Sequence, residues 1–191
     1  MASTKQLKDF YKKTLSINLD FFKQEGINDV KGLNEYKVKK IIEEPLWKNL
    51  ECNGKTNQRY ISQGVYEIRV ELDRLEIKRN QKSIWTPNDI DTAHKIEGNK
   101  LKELSDNFEV QLEHVVEMSK LVEILIKGNM NVSTVLDEYN IGCTVLKKEH
   151  CLLPNNLFDL KDVWIRYRNK LNVYDTEEEK WVVGEGPFAK I

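Results

Sequence analysis

The sequence predicts an α+β fold, predominantly helical, built on a long central helix with one or two small antiparallel β-hairpins. Two patterns lead there. Between Asn99 and Lys127, Leu101, Leu104, Phe108, Leu112, Val115, Val122 and Ile126 recur at three- and four-residue steps, a single stripe with Ser119 as its one polar member. Met118, Leu121 and Leu125 widen that face, Glu103, Glu109, Glu113, Glu117 and Glu123 fall mostly on other sides, and Gly128 follows as a helix-ending glycine. The second pattern is the alternation of Tyr66, Ile68, Val70 and Leu72 with Glu67, Arg69 and Glu71, which has the period of a half-buried strand.

Composition sets the frame for these elements. With 191 residues, 40 % hydrophobic and 32 % charged, and only 9 Gly and 4 Pro, the chain has a globular rather than disordered or fibrous make-up. One domain over 1–191 is expected, with an internal boundary near 128–131, and no disulfide or metal is needed to hold it. Cys52, Cys143 and Cys151 are an odd, scattered set, and MASTKQLKDFYKK has no apolar core of a signal peptide, so reduced thiols in the cytoplasm or nucleus are expected. No run reaches the roughly 18–20 apolar residues of a membrane span. The net charge of −1 hides a modest asymmetry: residues 1–60 carry 12 basic and 8 acidic side chains, residues 101–191 carry 11 and 16. Lys outnumbers Arg 24 to 6, a bias of A/T-rich coding sequences such as those of a low-GC bacterium, a protist or a virus.

In chain order, Ser3 to Gln24 is a helix capped by Ser3 or Thr4, with Leu7, Phe10, Tyr11, Thr14, Ile17 and Phe21 on one side. Its other side still shows Leu15, Leu19 and Phe22. Core burial on both sides is the expectation, with a subunit contact as the alternative. After Gly26 and the polar NDVKGLN segment, Glu35–Glu44 reads as a short helix stopped before Pro45, and ECNGKTNQ as a loop. Residues 60–79 fit an antiparallel hairpin turning at Asp73-Arg74, although Ile61, Val65, Ile68, Leu72 and Leu75 also fit a helical heptad. The hairpin is the expectation because a helix would leave Tyr66, Val70 and Ile77 on polar faces. Thr86-Pro87-Asn88-Asp89 is a well-formed helix start, with Ile90, Ala93, His94 and Ile96 facing inward and Gly98 as a kink or break. Val132–Tyr139 and Cys143–Glu149 are two short helical pieces, Asp159–Leu171 a last helix, and LNVYD and KWVV a terminal hairpin around TEEE, followed by the tail GEGPFAKI.

Candidate sites are few. Val132–Lys148 resembles a helix-turn-helix unit whose second helix would present Thr144, Lys147 and Lys148, among the acidic Asp137, Glu138 and Glu149. Lys161, Arg166, Arg168 and Lys170, interleaved with Trp164 and Tyr167, form a basic-aromatic stretch of the kind that grips RNA. Lys147, Lys148, Arg166, Arg168 and Lys170 are therefore the candidate nucleic-acid contacts. The six residues Leu153-Pro154-Asn155-Asn156-Leu157-Phe158 resemble the opening of an F-box adaptor helix, and that resemblance implies a protein contact through Leu153, Pro154, Leu157 and Phe158. Cys143, His150 and Cys151 lack metal-ligand spacing, and no phosphate loop, nucleophile elbow or zinc-protease motif is present, so no metal, cofactor or catalytic residue is assigned. These readings lead to a non-catalytic binding or regulatory protein that recognises a protein partner and itself, as a homodimer joined by antiparallel long helices. The alternative is a nucleic-acid-binding accessory protein, with no membrane contact in either case.

Overall fold

In the computed structural model, which describes residues 3–27, 35–52, 58–74 and 110–185, helix α1 (Thr4–Gln24) starts from a reciprocal cap. Ser3 Oγ accepts the Gln6 N–H at 3.3 Å, and the Gln6 side chain accepts the Ser3 N–H at 2.8 Å. Helix α2 (Glu35–Glu51) follows, then strand β1 (Tyr60–Ser62), helix α3 (Gln63–Arg74), strand β2 (Val110–His114) and helix α4 (Met118–Ile126). Helix α5 (Val132–Thr134) runs into a π-helical turn (Val135–Tyr139), and the described residues end with β3 (Gly142–Leu146), α6 (Lys147–His150), β4 (Val173–Asp175) and β5 (Lys180–Val183). Six α-helices and a five-stranded mixed sheet among the described residues replace the expected predominantly helical fold on a long central helix with one or two separate hairpins.

The long helix fails where its pattern is ambiguous. Leu112 fits the helical stripe, but Val110, Leu112 and His114 also alternate with Gln111 and Glu113 at the strand period, and this stretch is strand β2, followed by the buried pair Val115-Val116. Among the described residues of that stretch only Met118–Ile126 is helical, with five of its nine residues buried, and Gly128 ends it at φ 67°, as its position suggested. Asn99–Glu109 and the Thr86-Pro87 helix start lie outside the described residues.

The described residues cluster into two compact units. The first draws on Met1–Asn53, His114–Ile141 and Asn156–Val163 and is helical. Its core joins Leu15, Leu19 and Phe22 of α1 to Ile42 and Leu46 of α2, to Leu121, Val122 and Leu125 of α4, and to Val135. Helix α2 does not stop before Pro45, because Ile42, Leu46 and Leu50 form one buried stripe across the proline. Proline has no N–H for the carbonyl four residues back, and the carbonyl so freed, that of Ile41, accepts from Asn18 Nδ2 at 3.0 Å. A second amide relay binds the same unit. Asn140, buried after the π-turn, donates to the Leu46 carbonyl at 3.1 Å and to Asn49 Oδ1 at 3.4 Å, and Asn49 donates to the Lys8 carbonyl at 3.4 Å.

The second unit, from Gly54–Glu113, Gly142–Asn155 and Trp164–Ile191, carries the sheet in the order β2-β3-β1-β4-β5. Strand β1 lies parallel to β3, with Tyr60 opposite Cys143, and antiparallel to β4, with Ile61 opposite Tyr174. Every residue of β3 is buried, which is why its apolar run gave no strand alternation. The expected hairpin at 60–79 is instead β1 followed by α3 as far as Arg74, with Ile61, Val65 and Ile68 buried on the heptad stripe. Tyr66 is covered by aromatic rings at 4.6 Å (Tyr174) and 5.2 Å (Trp181), so a helix here leaves only Val70 exposed among the described side chains that had argued against it.

Two further expectations change. Cys143–Glu149 is not a second helix, since Gly142–Leu146 is strand and Thr144 is buried, so no recognition helix presents it. Residues 159–171 form consecutive tight turns rather than a helix, with the Tyr167 N–H on the Trp164 carbonyl at 2.8 Å, the Leu171 N–H on the Tyr167 carbonyl at 2.9 Å, and Asn169 at φ 61°. The terminal hairpin does form, as β4 and β5, and supplies one edge of the sheet.

Candidate protein interface

Successive residues of α1 advance by 100° around its axis, which sorts its apolar side chains onto two faces about 130° apart. Leu15, Leu19 and Phe22 fill the core, at 0 %, 7 % and 4 % exposure. Leu7, Phe10, Ile17 and Phe21 face solvent at 38 %, 60 %, 65 % and 56 %, with the half-buried Thr14 in the gap between them. The expectation that this face is core is thereby corrected. The sequence carried no sign of which face would be chosen, because both are apolar.

The exposed members occupy residues 7, 10, 14, 17 and 21, alternating steps of three and four, so the stripe runs parallel to the helix axis for about 21 Å. Beside it lies Ile41 of α2, 42 % exposed, whose carbonyl is the one held by Asn18. The Phe10 and Tyr11 rings meet edge to face at 5.3 Å, which stiffens the N-terminal half of the patch. Large side chains in one contiguous row on a rigid helix are what a partner helix packs against; an isolated exposed leucine would carry no such meaning.

A third side of α1 borders a polar cleft of about 740 Å³, formed with Gly128, the Met130–Thr134 segment and the π-turn. Lys23, Asp20, Asp137 and Glu138 line it, together with Ser16, Ser133 and Thr134.

The residues singled out from the sequence lie on different elements. Lys147 and Lys148 are exposed on the four-residue α6, and Arg168 and Lys170 are exposed in the turns before β4. Arg166 is buried: its Nη1 lies 3.1 Å from Glu113 Oε1 and its Nε donates to the Pro154 carbonyl at 3.0 Å. Reversing charge at Arg166 would place two carboxylates side by side, so it is not the fold-neutral substitution an exposed RNA contact would permit. Glu113 also has His150 Nδ1 at 2.8 Å from its second oxygen. In the F-box-like segment Leu153 is in the core of the second unit and Phe158 packs on the core of the first, while Pro154 and Leu157 lie on an irregular stretch with Asn156 at φ 61°. No adaptor helix forms there.

Electrostatics concentrate at the β4–β5 turn. Asp175 is buried and meets Arg59, whose Nε lies 3.0 Å from both carboxylate oxygens and whose Nη2 lies 2.6 Å from Oδ2. Its Oδ1 also accepts the N–H groups of Glu177 and Glu178 at 2.9 and 3.1 Å. Burial alone would push this carboxyl up, but the guanidinium and the two amides outweigh it and hold its pKa below the usual value. Cys143 and Tyr167, enclosed in the second unit, have their pKa values pushed up by burial, so both stay protonated and chemically quiet.

Among the described residues no group of three or more His, Cys, Asp and Glu side chains converges to hold a metal ion, and no described helix is long and apolar enough to cross a membrane. Comparison with protein-family models, with curated proteins and with solved structures gives no match to this chain.

Proposed function

We propose that this chain is a non-catalytic binding protein acting by protein–protein recognition, self-recognition included, through the outward face of α1. The observation that carries this is the row Leu7, Phe10, Ile17 and Phe21, which stays open to solvent although a separate face of the same helix already supplies the core. Continuous apolar surface on a firmly anchored helix favours association, because each side chain removed from water contributes about 25 cal/mol per Å² of area buried. The anchoring is visible in the Ser3 cap, the Asn18 bond to α2 and the Asn49 bond to the Lys8 carbonyl.

The test replaces Ile17 or Phe21 with Lys and measures solution mass by light scattering while labelled dsRNA, ssRNA and dsDNA are titrated into the same sample across a salt series. Protein association that either substitution removes, with no retained nucleic acid, is expected. Retention of a nucleic acid with a steep salt slope, unaffected by the α1 substitutions, would contradict the proposal and move the contact to Lys147, Lys148, Arg168 and Lys170.

A further inference from the structure

We infer that the occupant of the α1 face is a second copy of the same helix, running antiparallel across a twofold axis and set in register by Lys13 and Asp20. This rests on the α1 reading above and assigns its partner. Taking Leu7, Thr14 and Phe21 as heptad position a, and Phe10, Ile17 and Gln24 as d, the flanking positions are Gln6, Lys13 and Asp20 on one side and Thr4, Tyr11, Asn18 and Glu25 on the other. In an antiparallel pair a layers on d of the other copy. Centring the pair between Leu15 and Ser16 then stacks Phe10 on Phe21 and Thr14 on Ile17, each layer occurring twice by symmetry.

The flanks decide the direction. In that antiparallel register Lys13 faces Asp20 of the other copy, and Asp20 faces Lys13, giving two opposite-charge pairs; on the other flank Tyr11 faces Asn18. A parallel pair in the same heptad would instead set Asp20 against Glu25 twice, two like-charge pairs, and leave Lys13 opposite Asn18. Lys13 and Asp20 are both exposed, so either is placed to make a contact across the axis. The layers also fit better antiparallel: the small Thr14 sits under the branched Ile17, whereas a parallel pair would stack Thr14 on Thr14 and leave a gap in the centre.

The interface is a single pair of helices about 21 Å long, at the low end of specific contacts, so the dimer forms and dissociates at about micromolar concentrations rather than being permanent. Ile41 of α2, at the edge of the stripe, extends the apolar area on each copy.

Sedimentation velocity from about 1 µM to about 1 mM, on the wild type and on Asp20→Lys, Lys13→Glu, the double variant and Ile17→Lys, tests this, with circular dichroism as the check on folding. Asp20→Lys and Lys13→Glu should each weaken the dimer about tenfold by creating two like-charge pairs, the double variant should return to within about twofold of wild type, and Ile17→Lys should remain monomeric. Strengthening by Asp20→Lys would overturn the antiparallel arrangement, since only a parallel pair gains from a positive charge set opposite Glu25. A dimer indifferent to all three charge variants yet lost in Ile17→Lys would overturn the register. A wild type monomeric throughout would overturn the homodimer while leaving α1 as a face for another protein, and a dimer that persists in Ile17→Lys would overturn both this inference and the α1 reading.

Discussion

Single residues settle several questions that patterns leave open. Asn18 is the clearest: a short amide on the flank of α1 supplies the donor that Pro45 withholds from the Ile41 carbonyl, and so lets α2 pass through its proline. Asn18→Ala should cost about 1 kcal/mol, read from the urea midpoint, and the matching change Pro45→Ala should make that cost smaller because the helix then satisfies its own carbonyl. Asp175 acts in the same way at the terminal hairpin. Its pKa is held below the ordinary 3.8, so the ionised form stabilises the fold above that value, and the contribution is lost as pH falls through the folded-state pKa. Urea unfolding measured stepwise downward from pH 5 should show wild-type stability falling below about pH 4, and Asp175→Asn should flatten that fall while lowering stability at neutral pH. An unchanged acid slope in Asp175→Asn would remove Asp175 from this role.

At the level of elements, the start of α3 depends on one distant carboxylate. Glu149 accepts from the Ser62 hydroxyl, from the Gly64 N–H at 3.1 Å and from the Leu146 N–H at 2.9 Å, and a Cβ on Gly64 would come within 2.6 Å of Leu146 Cδ1. Strand β1 therefore turns straight into a helix at a crowded junction. Glu149→Ala should lower stability by about 2–3 kcal/mol, with loss measurable in chemical denaturation; a change under about 0.5 kcal/mol would show that the junction holds without it. This is also why the hairpin expected at 60–79 fails. Its alternation was real, but Tyr66 packs against Tyr174 at a tilt and Trp181 edge to face, more than a hundred residues away, and no local pattern announces that cover. The turns at 159–171 fail as a helix for a similar reason: Arg166 is drawn to Glu113 and Pro154, and Tyr167 into the core.

For the whole molecule, features set by nearest neighbours were legible and features set by long-range packing were not. The Ser3 cap, the glycine stop at Gly128 and the β4–β5 turn are local chemistry and stand as expected. The five-stranded sheet joins segments from four parts of the chain, and its buried β3 carries no alternation to betray it. The expected dimer through antiparallel long helices is lost with that helix, since Met118–Ile126 spends its apolar surface on the core. The surplus of apolar surface on the first helix was legible from the start, but only the packing of Leu15, Leu19 and Phe22 shows which side is left over. A dilution series followed by sedimentation velocity, comparing the wild type with Ile17→Lys, tests the role of that surface most directly. Wild type should move from the 22.5 kDa monomer to twice that mass as concentration rises while Ile17→Lys stays monomeric; superimposable profiles with both proteins dimeric would contradict it.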